Sequence, residues 1–160
     1  MIHVRSKYGT DCMIAGIACY TETPLGDIFE WIEKTFERSA QSLLAGEEKI
    51  YVIAVVASKY VPWLLPHIAS TVSIKMPAKA IYLPTDPEAK GFAWTWHLKQ
   101  KIYTDGDTPI IGQAHFIAFG GGKAYDPEVY DVLSVSEYNQ LVQDNYKWAA
   151  RFVHIAEEPK

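Results

Sequence analysis

The stretch IIGQAHFIAFGGGKAYDP, residues 110–127, decides how this chain is read. Ile110 to Phe119 is an apolar run, Gly120, Gly121 and Gly122 interrupt it, and Lys123 to Tyr125 resumes an extended pattern. That sequence of events predicts a β-hairpin with a glycine turn. His115 stands within the apolar strand, where a lone polar ring needs a reason to be present. The returning strand supplies one in Asp126, whose carboxylate can accept a hydrogen bond from one imidazole nitrogen and so fix the tautomer. The blander readings are a satisfied histidine in a sheet and an aspartate that merely opens a turn before Pro127.

Upstream of the hairpin the pattern is helical. After a hint of a short strand at Ile2 to Arg5 and a loop through Gly9 and Thr10, Asp11 is the expected N-cap of a first helix. Ile14, Ala15, Ala18 and Cys19 provide its apolar positions, and Thr23 and Pro24 its stop. Leu25, Ile28, Phe29, Ile32 and Phe36 recur at three and four, opposite Glu30, Glu33, Lys34 and Glu37, which predicts a second helix running to about Leu44. Ile50 to Val56 is short and β-branched and predicts a buried strand. Five prolines punctuate Tyr60 to Pro87, and Pro87 to Ile102 is open to more than one reading.

Downstream, Ser134 and Glu137 form a capping box that opens a helix through about Lys147, and Arg151 to Ala156 predicts a closing strand. Helices first and strands later imply an α+β domain, and 160 residues without a low-complexity run fit a single one spanning residues 1–160.

Composition narrows the functional classes. The formal net charge is −4, and Lys7, Lys34, Lys49, Lys75, Lys99 and Lys101 are scattered rather than gathered into a stripe, which argues against nucleic acid as a partner. No apolar stretch has the length of a membrane span, and no hydrophobic leader opens the chain, so the expected compartment is the cytoplasm. His3, His67, His97 and His154 lack metal-ligand spacing, and Cys12 and Cys19 are not a C-x-x-C pair, so neither a metal nor another cofactor is expected. Seven residues apart on one helix, the two cysteines would lie about 10 Å from each other, too far for a disulfide.

Cys12 carries the chemistry. A thiol becomes a useful nucleophile once it loses its proton, and a helix N-terminus favours the thiolate. A histidine brought alongside stabilises that anion as imidazolium and can later protonate a leaving amine. The expected constellation is therefore Cys12 as nucleophile, His115 as base and Asp126 as the group that orients the base. Cys19 is expected in the core. The bland reading of Cys12 is a buried inert thiol. Trp94 and Trp96 are expected in the core or on a hairpin face, with a substrate groove as the alternative.

Two segments then resemble one family. TDCMIAGIACYTETPLGDIFEWI, residues 10–32, resembles the nucleophile region of the bacteriocin-processing (double-glycine) peptidases and their stand-alone relatives, and AHFIAFGGGKAYDP, residues 114–127, resembles their histidine strand, glycine turn and Asp-Pro return. The resemblance covers roughly the first 35 residues and Gln113 to Pro127, while Glu47 to Asp107 has no counterpart. It implies a papain-like cysteine peptidase fold and hydrolysis of a peptide or isopeptide bond in a peptide or protein substrate through a thioester, with Cys12, His115 and Asp126 as the triad. Two departures stand out. Ser6 occupies the place of the family's oxyanion glutamine and Met13 that of the glycine after the cysteine; loss of an oxyanion donor costs about 10²–10³ in rate. The Cys12 amide and Gln113 are the candidate substitutes.

Two rivals share these residues. Cell-wall amidases or endopeptidases of the NlpC or CHAP type also put cysteine on a helix and histidine on a strand, but usually read Asp-Cys-Ser-Gly or Gln-Cys. The other rival is a papain-like binding or inhibitory protein without turnover, a reading that Ser6 keeps open. A phage or mobile-element origin is the expectation attached to the stand-alone relatives.

Overall fold

A computed structural model describes residues 1–70, 81–96, 104–105, 108–109, 114–129, 131–144 and 152–160. The helices come first: α1 Cys12–Thr21, α2 Leu25–Phe36, α3 Ala40–Ala45, α4 Lys49–Tyr60, a 3₁₀ turn Pro62–Leu64, and α5 Leu65–Ser70. The strands follow as β1 Gly91–Trp96, β2 Thr104–Asp105, β3 Thr108–Pro109, β4 Ala114–Gly120, β5 Lys123–Tyr125 and β6 Leu133–Ser134. Helix α6, Val135–Asp144, and strand β7, Phe152–Glu157, complete the series. The architecture is α+β, with an antiparallel sheet in the order β6-β5-β4-β1-β7 and a separate β2-β3 pair.

Alternation along the strands sorts the side chains into two cores. Phe92, Trp94, Phe116, Ala118, Val153 and Ala156 belong to the core that includes the helices α1 to α5. Ala93, Ile117, Phe119, Ala124 and Phe152 belong to the other, with Val135, Tyr138 and Val142 of α6. Burying one large aromatic or aliphatic side chain in either layer contributes about 1.5–3 kcal/mol. Helix α1 is buried from Cys12 to Cys19 and packs on β4, α2 and α4. Its close seat on the sheet depends on Gly16, since a Cβ there would lie 2.6 Å from Phe116 Cε1, on a ring itself stacked on Phe92.

The glycine hairpin forms as expected. Gly120 pairs with Lys123, and the two residues between them, Gly121 and Gly122, have φ of 61° and 75°, the left-handed pair that a two-residue hairpin requires. Residues 110–113 lie outside the described residues. The capping box is also formed: Glu137 N donates to Ser134 Oγ at 3.0 Å and Ser134 N to Glu137 Oε1 at 3.1 Å. The expected extension of that helix to Lys147 lies outside the described residues, as does Arg151 at the start of the closing strand.

Four expectations are corrected. Ile50 to Val56 is helical, because Val52, Ile53, Val56 and Ala57 share one buried face while Tyr51 stays in solvent; packing overrides β-branched propensity. The second helix stops at Phe36 instead of Leu44: Glu37 turns left-handed at φ 54°, and α3 starts anew with Ser39 Oγ accepting from Ser42 N. Ile2 to Arg5 forms no strand; its bonds run to loops and a helix end, with Ile2 N donating to Cys19 O. Asp11 precedes α1, but its carboxylate caps none of the helix amides, because it is engaged elsewhere.

Candidate active site

The N-terminal loop is built around a buried carboxylate. Asp11, about 1% exposed, accepts from Lys7 N at 2.9 Å, from Tyr8 N at 2.9 Å and from the Ser6 hydroxyl. Ser6 Oγ in turn accepts from Gly9 N. These bonds wind Ser6 to Asp11 into a tight turn and draw the Asp11 side chain away from α1. The Asp11 side chain makes no cap bond to the first turn, whose amides carry the positive end of the helix dipole, and Cys12 is its first residue. Ser6 therefore serves the turn, where the resembling family has an oxyanion side chain.

The same loop is tied to the chain that follows β5. Ser6 N donates to Pro127 O at 3.0 Å, Arg5 Nε to the same oxygen at 3.1 Å, and His3 Nε2 to Val129 O at 2.7 Å. Residues more than a hundred positions apart are thus laced together beside Asp126. Strand β5 pairs with β4 only from Ala118 to Gly120, so the two strands part before His115 is reached. There the Cys12 end of α1, which packs on β4, meets the histidine, and Cys12 is among the groups that favour the charged form of the imidazole.

His115 Nε2 donates to Asp126 Oδ1 at 2.5 Å, and both side chains are about 2% exposed. Asp126 Oδ1 also accepts from Glu128 N at 2.9 Å, and Val129 N donates to Asp126 O, so the aspartate opens a turn and holds the imidazole at once. Its other oxygen, Oδ2, accepts from Tyr138 Oη at 2.6 Å. The second ring nitrogen, His115 Nδ1, is 3.9 Å from Glu128 Oε1.

Electrostatics follow from that geometry. Burial works against a charged His115, but the Asp126 charge and hydrogen bond outweigh it, with help from Cys12, and hold the imidazole well above its ordinary 6.5. Burial likewise works against an ionised Asp126, yet His115, Tyr138 and the Glu128 amide keep its carboxyl below the ordinary 3.8. An imidazolium facing a carboxylate is the favoured state of the pair. Cys19 is the opposite case: burial pushes its thiol up to about 12, with the terminal ammonium as the largest opposing influence.

All three expected residues, Cys12, His115 and Asp126, are therefore brought together. Gln113, Trp96 and His97 lie outside the described residues in side-chain position. Trp94 is a core residue, edge-on to Phe116. His67 Nδ1 and His154 Nε2 are 2.9 Å apart across α5 and β7, and among the described residues no three His, Cys, Asp or Glu side chains are grouped for a metal. Among the described residues no helix is long and apolar enough to cross a membrane. Tyr138 went unread in the sequence, because an aromatic near the start of a helix reads as core; the Ser134–Glu137 capping box just before it was the signal that fixed where it would point. No protein-family model, curated protein or solved structure matches the chain.

Proposed function

We propose that this chain is a papain-like cysteine hydrolase that cleaves a peptide or isopeptide bond of a protein or peptide substrate. The observation that carries this reading is the buried line from the Cys12 thiol through the His115 ring to the Asp126 carboxylate. With Nε2 given to Asp126, the ring serves sulfur through Nδ1. The Cys12 thiolate attacks the carbonyl carbon, and the resulting oxyanion falls toward the first turn of α1, whose amides the Asp11 side chain does not cap. The imidazolium passes its proton to the departing amine as the C–N bond breaks, leaving an acyl thioester. Water then enters, gives its proton to the imidazole and displaces the sulfur, releasing the acid. Asp126 keeps one tautomer in place throughout.

The bacteriocin-processing type of peptidase, cytoplasmic action and a phage or mobile-element setting belong to this proposal. Ser6, held on Asp11, favours the non-catalytic scaffold as the second reading. Turnover separates them. Purified protein incubated with a mixed peptide library should generate new amino termini, lost on Cys12→Ala and on His115→Ala. Soluble fragments released from peptidoglycan instead would favour the cell-wall rival, and no cleavage of either material would favour the scaffold.

A further inference from the structure

Asp126 has two oxygens, and only one of them faces the histidine. Oδ1 serves His115 Nε2 and the Glu128 amide, while Oδ2 has the Tyr138 hydroxyl at 2.6 Å. The aspartate is about 1% exposed, so water is a poor substitute for either partner. A buried phenol is costly where a phenylalanine would pack as well, unless its hydroxyl is used. Tyr138 brings α6 to the proposed site, and three independent devices hold it there. The Ser134–Glu137 capping box sets the start of the helix. The next residue, Asn139, clamps Leu83 from both sides, accepting from its N–H at 2.9 Å and donating to its carbonyl at 3.1 Å. The ring packs beside Phe152 in the core of that face.

We infer that Tyr138 is a positioning residue for the proposed triad, a fourth member whose hydroxyl locks the Asp126 carboxylate in rotation and keeps it ionised opposite His115. This inference rests on the hydrolase reading for its consequence, and on the hydrogen-bond geometry for its substance. Without the hydroxyl, Oδ2 is buried and unsatisfied. The carboxylate then gains by taking up a proton or by swinging Oδ2 toward the ring, and either change loosens the imidazole that faces sulfur. Tyr138 itself stays protonated, since burial and the Asp126 charge hold its hydroxyl well above 10, so it acts as a donor across the working range. The charged and titratable groups around the carboxylate are His115 of β4, Tyr138 of α6, Cys12 of α1 and the Glu128 side chain, which also bears on Tyr138.

Two readouts test the role in Tyr138→Phe. The Asp126 carboxyl titration, followed by carbon NMR, should move up by about one pH unit or more, the size expected for losing a hydrogen bond to a charged group. The acid limb of Cys12 alkylation by iodoacetamide should move up in the same direction. In the Asp126→Asn background, Tyr138→Phe should leave that limb where Asp126→Asn put it. A fluorinated tyrosine at position 138, a stronger donor, should move both readouts down. A Tyr138→Phe protein with a lower melting temperature but unshifted titration would overturn the inference, as would an equal shift in the Asn background. If alkylation shows no dependence on His115, the hydrolase reading falls, and the Asp126 titration still decides the role of Tyr138.

Discussion

At the scale of single residues, Asp126 is where structure and chemistry are joined. It ends the hairpin, opens the turn through Glu128 and Val129, and meets both His115 and Tyr138. Removing one partner of a buried, charged pair costs about 3–5 kcal/mol, because the survivor is left uncompensated. Asp126→Ala should therefore destabilise the protein by that order in chemical denaturation, and Asp126→Asn by clearly less, since the amide still offers an oxygen to Nε2. Equal effects would mean that the oxygen left to Nε2 contributes nothing without its charge. Of these features, His115 and Asp126 were legible in the sequence, because a polar ring on an apolar strand and an Asp-Pro after a glycine turn each need a partner. The true use of Asp11 was not, because an Asp before a helix offers the backbone two competing sets of amides, and only the fold decides between them.

Elements show the same division. The hairpin was readable from Gly121 and Gly122, since few residues other than glycine take that turn without strain, and α6 from its reciprocal cap. Helix α4 was not readable. Its run of valines and isoleucines is short, and periodicity cannot tell a fully buried strand from a buried helix of that length. The observed burial makes a direct test. Ile53 is fully buried and Tyr51 is 66% exposed, so Ile53→Ala should cost about 2–5 kcal/mol while Tyr51→Ala stays near 0.5 kcal/mol or below. In a strand of alternating faces, residues two apart share a face, so the contrast between Tyr51 and Ile53 already speaks for a helix, and Val56, three beyond Ile53 and equally buried, is the second check. Val56→Ala should be costly as well, by about 1 kcal/mol or more.

For the whole molecule, the two halves are fastened where the chemistry lies. The helices supply the sulfur and the sheet supplies the ring, with the Ser6 and His3 bonds to Pro127 and Val129 across the seam. Folding is consequently linked to the charge state of the site, with a definite sign. His115 binds its proton more tightly in the folded protein, so its contribution is complete below about 6.5 and is lost as pH rises through the raised folded value. Asp126 is ionised more readily in the folded protein, so its contribution is complete above about 3.8 and is lost as pH falls through the lowered folded value. The stability difference between wild type and a His115→Gln, Asp126→Asn double variant should thus be largest between roughly pH 4 and 6.5 and shrink on both sides. Melting curves across pH would show it, and a difference independent of pH would refute the charged pair.

If Cys12 and His115 act as one chemical unit, the rate of Cys12 alkylation by iodoacetamide near neutral pH, followed by peptide mass spectrometry, reports it. Cys12 should react much faster than Cys19, whose thiol burial holds near 12, and His115→Ala should bring Cys12 down toward the slow rate. Equal, slow reaction of both cysteines in the wild type, untouched by the loss of His115, would contradict the account.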